Sequence, residues 1–185
     1  MELHGVRSWD AFAAIDSILI ISMLSIAPTQ ENEMRMNDKP GFFARRFQQI
    51  AVAVFHAEVA AAGFDLTPVQ YSALTALHAH PGVDQATLAG LIAFDRTTMG
   101  GVIDRLAQRG LLTRKPHPTD RRARTLQITQ AGADLLDRVE PAVQRAQEIM
   151  VSGLDAAEAA EFLRLLRKAV DGCNALSRAP LLAPA

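Results

Sequence analysis

Eight basic side chains, Arg96, Arg105, Arg109, Arg114, Lys115, Arg121, Arg122 and Arg124, fall within 29 residues that hold only two acids, Asp104 and Asp120. That segment carries a net +6 in a chain whose formal charge is −1, so the rest sums to −7. Concentrated positive charge attracts phosphates, because neutralising a polyanion releases its condensed counterions whatever the base sequence. Charge runs are more often plain solvated faces. What separates this one is its place, on the second helix of a tight pair and on the hairpin that follows.

Read as a helix from Arg96 to about Gln108, the first half of the cluster has two sides. Met99, Val102 and Leu106 recur at spacings of three and four and face a core, while Thr97, Thr98, Gly101 and Arg105 share the opposite side. That side is expected to enter a major groove. Arg96, Thr97 and Thr98 lie in the first turn, where hydroxyls, free backbone amides and the helix dipole can meet phosphates and threonine methyls can touch thymine. Helix capping alone would also explain either threonine. Gly100-Gly101 costs about 1 kcal/mol per residue relative to alanine inside a helix. Close approach to a duplex would offset that cost, and so would helix-to-helix packing.

The elements that must position this surface are punctuated clearly. Asn37 or Asp38 can cap a helix with Pro40 in its first turn, and Phe43, Phe47, Ile50 and Val54 mark its apolar stripe as far as Gly63. Thr67-Pro68-x-Gln70 is a capping box for a helix that Pro81-Gly82 stops. Asp84 opens a short helix closing around Phe94, and Asp95 caps the next, which Gly110 ends. The period then becomes extended over Leu111–Lys115 and Ala123–Thr129, a hairpin with a polar, basic tip. Thr129 caps a helix to about Val151 that Pro141 should kink, and Asp155-x-x-Glu158 opens a last amphipathic helix to Leu176.

Composition excludes several classes. With 185 residues, 49% of them apolar and 21% charged, the chain is an ordinary globular one of one domain or two small ones. Its one cysteine, Cys173, cannot form an internal disulfide and fits a reducing compartment, so the cytoplasm is expected. Residues 1 to 33 carry a net −4, leaving +3 for the remainder. The apolar run Ala11–Ala27 is shorter than the roughly 20 residues that cross a bilayer, and acidic flanks argue against a signal peptide. No membrane association is expected. Met34 and Met36 precede the first patterned helix, so Met1 is read as an upstream start and residues 1–36 as an extension.

No G-x-S-x-G, H-E-x-x-H, Walker A or dinucleotide glycine pattern occurs, so an enzyme is not expected, and neither is a cofactor. His56, Glu58, His78, His80 and His117 have no spacing that fixes a tetrahedral metal set, and no metal site is assigned. A winged helix that binds only protein would leave the cationic cluster unexplained.

The stretches L-T-P-V-Q-Y-S-A-L (66 to 74), T-L-A-G-L-I (87 to 92), D-R-T-T-M-G-G-V-I-D-R-L-A-Q-R-G-L-L (95 to 112) and D-R-R-A-R-T-L-Q-I-T-Q-A-G (120 to 132) together resemble the winged helix-turn-helix core of the MarR family of transcriptional regulators. The resemblance runs over roughly residues 40 to 172. It implies a mainly α fold with a small β-hairpin wing, the winged helix-turn-helix at 66–130 lying between dimerisation helices at 37–65 and 131–176, and a tail at 177–185. It further implies a homodimer on a pseudo-palindromic double-stranded DNA operator, most often as a repressor. In the wing, Asp120 would orient Arg122 into the minor groove, with Lys115, Arg121 and Arg124 on phosphates.

The family usually answers a small aromatic anion, which would draw on Phe43, Arg45, Arg46, Phe47, Gln49, Tyr71 and His78. Aromatics as core and arginines as solvated charges are the plainer reading of the same residues. The opening P-G-F-F-A-R-R-F-x-Q-I bears a fainter similarity to the subgroup that represses nicotinate degradation, implying a hydroxylated pyridine carboxylate. Peroxide-sensing members carry a cysteine early in the first helix, where residues 40 to 62 have none. A redox switch at Cys173 or a metal switch at the histidines is the alternative.

Overall fold

The computed structural model describes residues 38–116 and 124–182. The wing-tip candidates Asp120, Arg121 and Arg122, His117 and the N-terminal extension lie outside them. Among the described residues six helices and one hairpin follow in order: α1 (Pro40–Ala61), α2 (Pro68–Ala79), α3 (Gln85–Leu91), α4 (Arg96–Gln108), β1 (Leu112–Pro116), β2 (Arg124–Ile128), α5 (Gln130–Met150) and α6 (Ala156–Cys173), with a 3-10 turn at Asn174–Leu176.

Residues 1–48 and 49–185 form two units, and the first is described only from residue 38. It holds the opening turns of α1, where the Phe42 and Phe43 rings meet edge to face at 5.6 Å. The Arg45 guanidinium stands 5.5 Å above the Phe42 ring.

The second unit is built by local signals that agree with one another. Thr67 accepts from the Gln70 amide at 3.3 Å while the Gln70 side chain accepts from the Thr67 amide at 3.1 Å, so the capping box closes as the sequence predicts. Asp84, Asp95, Thr129 and Asp155 each cap the helix that follows them. α3 ends at Leu91 rather than near Phe94, because Ala93 takes a left-handed conformation at φ 50°. That φ brings steric strain to an L-residue, and the chain accepts it to turn sharply between α3 and α4. The Phe94 amide donates to the Ala89 carbonyl at 2.8 Å and fixes the turn.

β1 and β2 pair antiparallel from Leu112 opposite Ile128 to Pro116 opposite Arg124. The loop before α3 adds one more bridge, since the Gly82 amide donates to Leu126 at 2.9 Å and the Leu126 amide to Val83 at 2.8 Å. Leu74 and Leu77 of α2, Leu88 of α3, Met99, Ile103 and Leu106 of α4, Leu112 and Leu126 of the hairpin and Val139 of α5 are buried together. This one core locks α4 and the hairpin as a unit. Gly132 is required where α5 leaves the hairpin, because a Cβ there would sit 2.2 Å from the Leu111 carbonyl oxygen.

α5 runs unbroken through Pro141. α6 stops at Cys173, short of the expected Leu176, and the last turn tightens to 3-10. It buries none of its residues: Leu163, Leu166 and Val170 are 55%, 42% and 52% exposed. Among the described residues no helix is long and apolar enough to cross a membrane.

Candidate nucleic-acid interface

α4 presents its two sides as its spacing predicts. Met99, Val102 and Leu106 are buried, whereas Arg96, Thr97, Thr98, Gly101 and Arg105 are exposed. The core therefore clamps one face and leaves the other available to a ligand. Asp104 on this helix pairs with Arg114 on β1, which ties the helix to the wing. Both side chains are well exposed, so the pair contributes little stability and acts mainly as a brace. Lys115 and Arg124 are exposed near the outer end of the hairpin and extend the positive surface beyond the brace.

The first turn of α4 is more committed than its sequence suggests. The Asp95 carboxylate accepts from the Thr97 amide at 2.8 Å and from the Thr97 hydroxyl, and the Thr98 hydroxyl donates to the Asp95 carbonyl at 3.0 Å. Both hydroxyl protons are thus used in capping, and the threonine methyls and hydroxyl lone pairs are what remain for a partner. Those bonds, from the Thr97 side chain first and its amide next, hold the Asp95 carboxyl below the usual carboxylate range. Asp84 is lowered in the same way, chiefly by the Thr87 amide and further by the charge of Arg96.

The glycine pair has no intramolecular partner that demands it. A Cβ on Gly101 would meet only the Arg105 guanidinium, at 3.6 Å, and one on Gly100 only the Gln85 amide, at 3.5 Å. Both are ordinary contact distances, so packing within the described chain does not account for the cost of two glycines.

Of the residues named for effector binding, Phe43, Arg45, Arg46 and Phe47 belong to the first unit, with Phe43 58% exposed. Gln49, Tyr71 and His78 belong to the second. There Tyr71 lines a cleft of about 440 Å³ with Ser72, Thr75, His80, Ile92 and Leu182. His78 is exposed on α2 and does not line it; His80, two residues on, does. A sequence offers little to choose between them, because the helix ends just before His80 and the chain leaves its 3.6-residue period.

The Tyr71 hydroxyl donates to Glu140 at 2.7 Å, and its ring lies 6.0 Å from that of Phe55. Burial first, then the Glu140 carboxylate, pushes its pKa from 10.0 to about 12. The fold therefore favours the neutral phenol. Its contribution to stability is complete below pH 10 and is lost as pH rises from 10 through about 12. Tyr71 is the one tyrosine of the chain, so ultraviolet phenolate titration reads it directly. We expect a midpoint near 12 that falls toward 10 in Glu140→Gln; a wild-type midpoint at the free-tyrosine value would refute the bond. Among the described residues no group of three His, Cys, Asp or Glu could hold a metal ion, and Cys173 is exposed.

A helix pair followed by a two-stranded hairpin is an arrangement shared with known proteins. The profile described as MarR family matches residues 66–123. The HTH-type transcriptional repressor NicR of Pseudomonas putida is 33% identical over 147 residues, spanning 80% of this chain and 92% of the relative. The chain belongs to the MarR family.

Solved MarR-like structures share its architecture. BpsR of Bordetella bronchiseptica, whose DNA binding is regulated by 6-hydroxynicotinic acid, is 30% identical with a TM-score of 0.68, covering 72% of this chain and 94% of that one. The transcriptional repressor CouR, bound to a 23-mer DNA duplex, is 29% identical with a TM-score of 0.67 over 72% of this chain and 94% of that one. This MarR-family chain is thus a winged-helix transcriptional regulator.

Proposed function

We propose that the chain acts in the cytoplasm as a homodimeric repressor that binds a pseudo-palindromic operator and leaves it when a small aromatic acid binds. The observation that carries the DNA reading is the exposed, cationic outer face of α4 braced to the hairpin through Asp104 and Arg114. In this reading Arg96, Thr97, Thr98, Gly101 and Arg105 meet the major groove. Lys115, Arg121 and Arg124 meet phosphates, and Arg122, oriented by Asp120, enters the minor groove. A paired scaffold is supported by the uncovered apolar face of α6, and two recognition helices would then lie about one helical turn of DNA apart.

For the effector, the regulation of BpsR by 6-hydroxynicotinic acid supports a hydroxylated pyridine carboxylate. Within the second unit, Tyr71 and the cleft it lines with Thr75 and His80 offer such an acid a polar wall. The test is a gel shift on the region upstream of the native gene, run over a salt series and then with 6-hydroxynicotinic acid and other aromatic acids added. We expect affinity to fall steeply with salt and the complex to dissociate with at least one acid. No shift in dilute buffer would overturn the operator reading, and a complex indifferent to every acid would overturn the effector.

A further inference from the structure

The end of the described chain doubles back onto the helix-turn-helix. After α6 and its 3-10 turn, Asn174 holds Leu181 by two bonds: its Nδ2 donates to the Leu181 carbonyl at 3.0 Å and its Oδ1 accepts from the Leu181 amide at 2.8 Å. The Ala179 amide donates to the Ser177 hydroxyl at 3.1 Å, so the loop between them is also fixed. The Leu182 amide then donates to the Gly90 carbonyl of α3 at 2.9 Å. A Cβ on Gly90 would stand 2.3 Å from Leu182 Cδ1, so the leucine occupies the space that the glycine leaves. A tail fixed at three points is held in one place.

What the anchorage positions is a cation. Arg178 and Arg96 line one cleft of about 240 Å³ with Phe94 and Pro180, at the edge of the helix-turn-helix. Among the described residues neither guanidinium forms a direct ion pair. Arg178 acts at longer range on Asp95, the acid that caps α4. A carboxylate at the tip of a recognition helix repels a phosphate backbone, and cations on both sides offset that repulsion. Asp84 and Asp95 meet these two cations only at longer range, and a guanidinium in such a cleft suits phosphate oxygens because it can donate to two at once.

We propose that residues 177–182 form a strap that adds Arg178 to the DNA-contacting surface, where it shares a backbone phosphate of the bound duplex with Arg96. This rests on the operator reading above. It adds an anchoring point outside both recognition helix and wing.

The test measures duplex affinity by fluorescence anisotropy across a salt series for the full chain and for Arg178→Gln, Arg178→Lys, Gly90→Ala and the double variant Gly90→Ala/Arg178→Gln. Removing a single arginine–phosphate pair should reduce the slope of log affinity against log salt by about 1 and weaken binding roughly tenfold near 0.1 M salt. We expect that of Arg178→Gln, with Arg178→Lys keeping the slope. The three atoms nearest a methyl on Gly90 all belong to the Leu182 side chain, two of them within 2.5 Å, so Gly90→Ala should push Leu182 away and loosen the strap. It should weaken binding on its own but not further when Arg178 is already gone, and this coupling is what a merely structural tail would lack. An unchanged slope in Arg178→Gln, or additive losses in the double variant, would overturn the strap while leaving the operator reading intact. A wild-type chain that binds no duplex in dilute buffer would bring down both.

Discussion

Gly101→Leu is expected to lower duplex affinity by about 100-fold or more, a loss of roughly 2.7 kcal/mol, while the protein melts at the same temperature as wild type or higher. The two halves of that result come from different parts of the structure. On the folding side, Gly101 is exposed in the middle of α4 and a Cβ there meets only the Arg105 guanidinium at 3.6 Å. Nothing has to move, and leucine is a better helix former than glycine by about 0.8 kcal/mol. On the binding side, Gly101 shares its face with Thr97, Thr98 and Arg105, so a branched four-carbon side chain would hold the helix backbone off the base edges. Gly101→Ala serves as the graded control, gaining comparable stability at a smaller loss of affinity. Thermal melts and anisotropy on the same samples decide it. Full affinity in Gly101→Leu would remove this face from the groove, and a lowered melting temperature would mean that glycine is there for packing.

What can be read in the residue order and what cannot divide along physical lines. The limits of α4 and the closed capping boxes at Thr67 and Asp155 depend on residues within three or four positions of each other, and the structure reproduces them. The inward side of α4 is equally legible, because Met99, Val102 and Leu106 repeat at helical spacing. Approaches between distant parts of the chain carry no such signal. Nothing around Gly90 announces Leu182, and nothing around Gly82 announces its bond to Leu126. Gly132 looks like any residue early in a helix until the Leu111 carbonyl is placed against it.

The candidate site shows the same division. Residue type puts Thr97 and Thr98 at the start of α4, but only geometry shows both hydroxyls donating to Asp95. His78 and His80 differ in the cleft by where α2 ends, a boundary that one or two residues of fraying would blur. The spacing of the last helix marks an apolar face without saying what covers it.

That face carries the second large expectation. Leu163, Leu166 and Val170 repeat at three and four along α6, and each remains 42 to 55% exposed in the single chain. Ile149 and Leu154, at the α5–α6 junction, are 44% and 39% exposed. Apolar patches of this kind on a soluble surface are commonly covered by a partner. Because each is already about half buried, covering these three side chains on each of two protomers would contribute on the order of 4 to 9 kcal/mol before association costs, about half of the roughly 1.5 to 3 kcal/mol that full burial of each is worth. Those costs are commonly put at about 4 to 15 kcal/mol, so the face is large enough to hold a pair together only if most of it is used.

Leu166→Glu with Val170→Glu should therefore leave each chain folded, because neither residue belongs to the core, yet place charges where the partner's apolar face would lie. Sedimentation equilibrium at micromolar concentration is expected to show a dimer for wild type and a monomer for the double variant. Duplex affinity should fall with it by about 10² to 10⁴, since a single half-site loses the effective concentration that a joined second recognition helix provides. On a duplex holding one half-site the two proteins should bind alike, which separates loss of pairing from damage to α4. A double variant that stays dimeric would move the interface away from α6, and a monomer binding the full operator as tightly as wild type would mean that pairing is not how this chain reads DNA.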